Sequence, residues 1–253
     1  MPIMIPRLQA SENITKPWKF QESDFLQFLM MIRDIGHSKL IEVALNSGLS
    51  IQELNNKAKN RNLISFLRFE GVTNRYRGKD TIYRDLLPGL YFGQHLNGMR
   101  DGYGLLYCSN VDGVQNIYEY FWERGQPKYG KVTWIDKNQW WVYEGPLDKE
   151  YLPYGRGSLK SEDGKDYDGE WLRWQYHGLG KFKYKDGQIY EGRWENHNKH
   201  GFGKWTFSNG KYQIGNWIND KSVGTYKFFS NFNKQLENQI YKDDALVFRK
   251  EVT

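Results

Sequence analysis

Two hydrophobic periods divide this chain. Up to about residue 68, apolar positions recur every three or four residues. Residues 24–35 read DFLQFLMMIRDI and stop before Gly36, and residues 38–46 carry Leu40, Ile41, Ala44 and Leu45 and stop before Gly48. Each reads as a short amphipathic helix ended by glycine, which takes the left-handed backbone at a helix C-terminus most cheaply. Ser50-Ile-Gln-Glu53 has the spacing of a capping box and predicts a third helix running toward Leu67. Three short helices bury little alone, so they are expected to pack on one another and on the first strands that follow. Farther on the period falls to two, and glycine and aromatic residues alternate with polar ones as on a half-buried strand.

The alternation itself repeats. Aligned on aromatic-x-Gly, copies begin at Tyr91 (YFGQHLNGMRDGYGLLYCSNVDG), Tyr143 (YEGPLDKEYLPYGRGSLKSEDG), Tyr167 (YDGEWLRWQYHGLGKFKYKDG) and Tyr190 (YEGRWENHNKHGFGKWTFSNG). A further copy starts at Gln213, and the steps from 167 to 190 and from 190 to 213 are both 23 residues. A worn copy begins at Tyr118 with Tyr120 in place of its first glycine, Phe69-Glu70-Gly71 opens a weaker one, and six copies are clear. In the copy from Tyr190, Tyr190, Gly192 and Trp194 hold positions 1, 3 and 5, while Gly201, Gly203, Trp205 and Phe207 hold 12, 14, 16 and 18. Period-two geometry puts each set on one strand face. Residues 196–200 make the reversal and Asn209-Gly210 supplies the next turn. Each copy is therefore a hairpin, successive hairpins join edge to edge, and inner-face glycines leave room for neighbouring rings.

This frame closely resembles the MORN repeat (membrane occupation and recognition nexus), Y-x-G-x-W-x-x-G-x-x-x-G-x-G-x-x-x-x-x-D-G, over residues 91–229. The fold class expected is mainly β, an elongated single-layer antiparallel β-sheet solenoid of MORN hairpins with a small N-terminal α-helical segment. In such an array each copy stabilises only its neighbours. The domains expected are an extended arm over 1–20, helices over 21–68, the repeat array over 69–229 and a capping segment over 230–253. In that last segment QIYKDD and ALVFRK read as a closing hairpin over the open sheet edge.

Composition narrows the class. Aromatic residues are 17% of the chain, with 10 Trp, 18 Tyr and 14 Phe, which excludes general disorder. No apolar run approaches the ~20 residues that span a bilayer as a helix. The 36 Lys and Arg against 30 Asp and Glu leave a charge of +6, which permits an acidic partner without demanding nucleic acid. Cys108 is the single cysteine, so no internal disulfide forms and a reducing compartment is expected. The first twenty residues hold no long apolar stretch, one Arg, and Glu12, so neither a secretory nor a mitochondrial leader is expected.

Candidate chemistry is sparse. His177 and His200 precede Gly178 and Gly201 at the same repeat position, and His197 with His200 has H-x-x-H spacing on a hairpin loop that lacks a third ligand. His37 marks a helix boundary, and His95 stands where the repeat carries Trp. Cys108 falls at a packing position, and Gly102-Tyr-Gly104 lacks the Lys-Ser/Thr and helix of a phosphate loop. No catalytic, metal-binding or cofactor residue is assigned, and no enzyme is expected.

Two features exceed the template. Lys181, Lys204 and Lys227 recur at position 15, and Lys160 and Lys183 share their outward parity at position 17. This stripe suits lipid headgroups or an acidic protein segment. Equally, position 2 should oppose position 15, pairing Asp168 with Lys181 and Glu191 with Lys204 for a few tenths to about 1 kcal/mol each. Lys227, facing Ile214, and Lys183 would then lack a partner. The second feature is Trp174 and Tyr176 at a hairpin tip, with Trp140 and Trp141 in a join between copies. These are contact anchors or local packing, and both readings stay open.

The resemblance supplies a setting. It implies a non-catalytic scaffold or adaptor in a larger cytoskeletal assembly, such as a ciliary axoneme with its radial spokes, located in the cytoplasm or cilium. Its partners would be protein subunits of that complex, a second copy of the chain as a homodimer, and no nucleic acid. The alternatives are a peripheral tether that binds anionic lipid and an accessory subunit of an enzyme complex.

Overall fold

The computed structural model describes residues 18–58, 62–73 and 85–252, so most of the expected arm over 1–20 lies outside the described residues. The chain forms two compact units, Met1–Leu152 and Pro153–Thr253. The first holds helices α1 (Glu22–Asp34), α2 (Ser38–Asn46) and α3 (Ile51–Lys57), then β1 (Leu63–Phe69), β2 (Gly89–Leu96), β3 (Met99–Ser109), β4 (Gln115–Glu123), β5 (Gln126–Asp136) and β6 (Gln139–Pro146). The second holds β7 (Tyr154–Ser161), β8 (Asp166–Leu172), β9 (Gln175–Lys183), β10 (Ile189–Glu195), β11 (Asn198–Thr206), β12 (Tyr212–Ile218), β13 (Lys221–Phe229), β14 (Gln235–Lys242) and β15 (Ala245–Glu251). Within each unit the strands pair antiparallel in chain order, which is the mainly β architecture that the hairpin repeat dictates.

The helix punctuation follows the sequence. Gly36 and Gly48 take φ of 95° and 99°. His37 N–H donates to the Ile32 carbonyl and Leu49 N–H to that of Ala44, closing both helix ends. Ser50 Oγ accepts from Glu53 N–H at 3.1 Å. The third helix is shorter than expected, however. It stops at Lys57, and Leu63–Phe69 is a strand. That segment, LISFLRF, is rich in β-branched and aromatic residues. Phe66 pairs with Phe92, the two rings stacking at 4.8 Å, and that cross-strand contact prevails over continuation of the helix.

The repeat hairpins turn more tightly than expected. Asn196 and His197, with φ of 50° and 69°, form a two-residue turn, so the reversal is 196–197 and not 196–200. Asn219-Asp220 and Arg173-Trp174 have the same paired left-handed backbone, the geometry that matches strand twist.

One sheet face is a ladder of rings. Tyr91, Tyr143, Tyr167 and Tyr190 each donate a phenolic hydrogen bond to the carbonyl three residues on, at 2.7 to 3.0 Å. Trp122, Trp171 and Trp194 reach back from position 5 and donate to Gly104, Gly157 and Gly180 of the preceding copy. Tyr190 lies between Trp194 and Trp217, edge to face at 5.0 Å from each. The glycines are what let a ring lie on the backbone: a Cβ on Gly203 would sit 2.6 Å from Tyr190 Oη and 2.7 Å from its ring carbons. In the last copy the roles exchange. Gln213 replaces the opening tyrosine, Tyr226 replaces the glycine across the hairpin, and its ring lies over Gly215 with its hydroxyl donating to the Asn216 carbonyl.

The opposite face differs between the units. In the first it carries the helices, and Phe28, Leu40 and Leu54 are buried against Phe92, Leu105 and Tyr107. Each fully buried side chain of this size contributes about 1.5–3 kcal/mol. The same repeat positions in β8–β11 are Asp168, Lys181, Glu191 and Lys204, and among the described residues of that unit no helix covers them. At the C-terminal end the expected hairpin forms, but β14 and β15 continue the ladder, and every residue of β15 is exposed.

Candidate partner-binding surface

The open face of the second unit is a groove of about 860 Å³, lined by residues that include Arg156, Glu170, Lys181, Phe202, Lys204 and Ile214. Register defines one row across it: Ser158, Asp168, Lys181, Glu191, Lys204, Ile214, Lys227 and Asn238 face one another strand by strand. The expected pairs Asp168 with Lys181 and Glu191 with Lys204 are in register. Lys183 departs from expectation, since Asp166 lies directly across from it and from Lys160. Lys227 has Ile214 on one side and Asn238 on the other. The acids thus alternate with the lysines as far as Lys204 and then stop. Asp168 is further engaged by Arg156 at 3.0 Å, and Lys204 Nζ lies 4.0 Å over the Tyr212 ring. Beside this row Leu179 and Phe202 are 61% and 62% exposed.

The four singled-out aromatic residues fall into different roles. Trp140 and Trp141 belong to the first unit, where they pair with Ile135 and Trp134 on opposite faces of β6. Trp141 stacks on Trp134 at 6.1 Å. Tyr176 is committed to the ring ladder of the second unit. It stacks on Tyr167 at 4.0 Å and meets Trp171, Phe182 and Trp194 edge on, and burial holds its phenol well above the ordinary range.

Trp174 is the departure. At the equivalent position of the later turns, Asp220 Oδ1 accepts from Lys199 N–H at 2.8 Å and His197 Nδ1 accepts from Tyr176 N–H at 3.4 Å. Asp244 Oδ1 does the same for Ser222 N–H at 2.5 Å. These side chains stitch each turn to the one before it. An indole has only a donor, so Trp174 cannot make that bond, and its φ of 64° suits glycine or asparagine better. Its half-buried ring meets Trp171 at 6.2 Å.

Cys108 is fully buried and its thiol pKa is raised by burial. His197 is the turn acceptor just described, and its pKa is lowered by burial. His95 Nε2 meets Ser65 Oγ at 2.9 Å, and His37 Nδ1 meets Tyr107 Oη at 2.5 Å. Among the described residues no group of three or more His, Cys, Asp or Glu side chains could hold a metal ion.

Two networks in the first unit escaped the sequence reading. Arg100 lies 4.8 Å over Trp122 and 5.1 Å over Phe69, and donates to the Gly125 carbonyl at 2.7 Å and to Tyr151 Oη at 3.2 Å. Beneath the helices Glu119 is 4% exposed at its side chain. It accepts from Tyr103 Oη at 2.8 Å and faces Lys57 at 3.4 Å and Lys131 at 3.5 Å. Lys131 also donates to the Ser47 carbonyl at the end of α2. The signal for a covered face was the apolar outward residues of the first copy, Phe92, Leu105 and Tyr107.

Comparison with known proteins agrees with the repeat frame. The MORN repeat profile matches residues 91–110, 167–189 and 190–212. No curated protein matches the chain. Among solved structures, the chain is similar to the SAS-4 (dCPAP) TCP domain in complex with a proline-rich motif of Ana2 (dSTIL) of Drosophila melanogaster. The identity is 11% and the TM-score 0.32, over 68% of this chain and 96% of that one. A likeness of that size carries no argument.

Proposed function

We propose that this chain, whose residues 91–110, 167–189 and 190–212 match the MORN repeat, works as a non-catalytic scaffold that holds protein partners against its sheet. One observation carries the reading. The face that helices cover in the first unit is open in the second, where it presents a groove with exposed Leu179 and Phe202 beside a row of charges. A folded sheet that leaves large apolar side chains beside ordered charges has the makings of an interface. Trp174 adds a bulky ring where the later turns carry a hydrogen-bond acceptor, and Trp140 and Trp141 add further aromatic area in the first unit. The setting we propose for such a scaffold is a cytoskeletal assembly, with the ciliary axoneme as the one to test. The test is purification of the tagged full chain from its native source at physiological salt, with identification of the proteins retained. Recovery of a stoichiometric partner set supports the scaffold, and a fluorescent fusion locates it.

A second reading rests on the lysines at the end of the row, Lys204 and Lys227, the latter with no acid across from it, which suit anionic lipid. Flotation with vesicles rich in phosphatidylserine separates the two. Flotation of the purified chain at physiological salt, lost on Lys204→Glu with Lys227→Glu, would favour the membrane tether.

A further inference from the structure

We infer that the open groove of the second unit seats an acidic amphipathic helix of a partner protein; this rests on the scaffold reading and names its partner class. The first unit shows what this sheet face does when filled. There it lies under helices, with Phe92 and Leu105 fully buried, and Lys131 donates to the Ser47 carbonyl at the C-terminal end of α2. Lys131 faces Glu119 in the register in which Lys181 faces Asp168 and Lys204 faces Glu191. The groove lysines therefore occupy the position that already holds a helix elsewhere in this chain.

Spacing and charge specify the occupant. Successive lysines of the row stand two strands apart, roughly 9.6 Å at about 4.8 Å per strand. Residues i and i+7 of a helix rise about 10.5 Å. A helix laid across the strands can therefore set acids seven residues apart over Lys181, Lys204 and Lys227. Apolar side chains at i+4 and i+11 lie on one side of that acidic line, the side that can face Leu179 and Phe202, whose row flanks the lysines. Acids are the complementary charge, because Lys227 has only Ile214 and Asn238 across from it. A basic segment would meet unbalanced lysines at this end.

The experiment places a photoreactive benzoylphenylalanine at position 202 of the full chain, expressed in its native cells, with the same residue at exposed Lys185 as the control. The adduct expected at 202 is a peptide of another protein, with acids seven residues apart on one helical face. Its yield should fall at least tenfold when Lys204→Glu and Lys227→Glu are introduced, with an unchanged circular dichroism spectrum showing that the sheet stays folded. An adduct with lipid or with a second copy of this chain overturns the inference, as does a peptide without that acid pattern or equal yield at position 185. Partners that co-purify unchanged with the charge-reversed chain, with no adduct at 202, overturn it and leave the scaffold reading standing. A wild-type chain that retains no protein at all overturns both.

Discussion

Gly203→Ala tests the ring ladder where one ring lies on the backbone between two indoles. The added Cβ would meet only Tyr190 among its nearest neighbours, 2.6 Å from the hydroxyl and 2.7 Å from two ring carbons. Carbon atoms pack best at about 3.5–4.0 Å, so the ring must rise by roughly 1 Å. That movement strains its edge contacts with Trp194 and Trp217, each at 5.0 Å, which are worth about 0.5–1.5 kcal/mol apiece. It also stretches the 3.0 Å bond to the Arg193 carbonyl, worth about another 0.5–1.5 kcal/mol. Partial loss of all three gives a cost of about 2–3 kcal/mol, within the range for overpacked cores. The backbone contributes nothing to this cost, since alanine in a strand interior is favoured over glycine by about 0.5–1 kcal/mol. The substitution is therefore made twice, in the wild type and in Tyr190→Ala, and unfolding in urea is followed by tryptophan fluorescence. In the wild type the midpoint should fall by the amount above. In the Tyr190→Ala background, where the ring is gone, the same substitution should be neutral or slightly stabilising. A similar loss in both backgrounds would refute the claim that this glycine exists to admit the ring.

Three other outcomes follow from the geometry. Trp174→Gly removes a side chain from a left-handed position that glycine adopts most cheaply and gives up its ring contacts, the edge contact with Trp171 among them, so thermal melts should move little while partner retention falls more than tenfold. His197→Asn keeps the turn acceptor but removes its titration. Because burial lowers the His197 pKa in the folded state, the wild type should lose stability as pH falls from 7 toward 5, and the variant should lose less, as read from urea midpoints. The ladder phenols of Tyr167, Tyr190 and Tyr226 are pushed above their ordinary value by burial. The folded state then keeps protons that the unfolded chain releases above pH ~10, so stability is complete below that pH and lost above it. Absorbance at 295 nm should show these phenols ionising together with unfolding, and a gradual titration centred near 10 in the folded protein would contradict their burial.

The sequence by itself determined whatever depends on near neighbours along the chain. The period-two alternation, the glycines at positions 3 and 14 and the regular 23-residue step are local, so hairpins in chain order and the opposition of Asp168 to Lys181 could be read from spacing alone. The ends of α1 and α2 were legible for the same reason, since Gly36 and Gly48 act through their own backbone. What tertiary structure decided is which side of a residue is used. Leu63–Phe69 left the helical pattern because Phe66 found Phe92 across a strand. Tyr176 joined the ladder because Tyr167 lies beneath it; Asp166 stands across from Lys183 in the same register that opposes Asp168 to Lys181, one position before the copy begins. The same outward positions are buried as Phe92 and Leu105 under helices and open as Asp168 and Lys181 in the groove. A strand states which residues share a face, but what covers that face is decided by segments distant in sequence, whose burial of apolar area has no signature in the strand's own period.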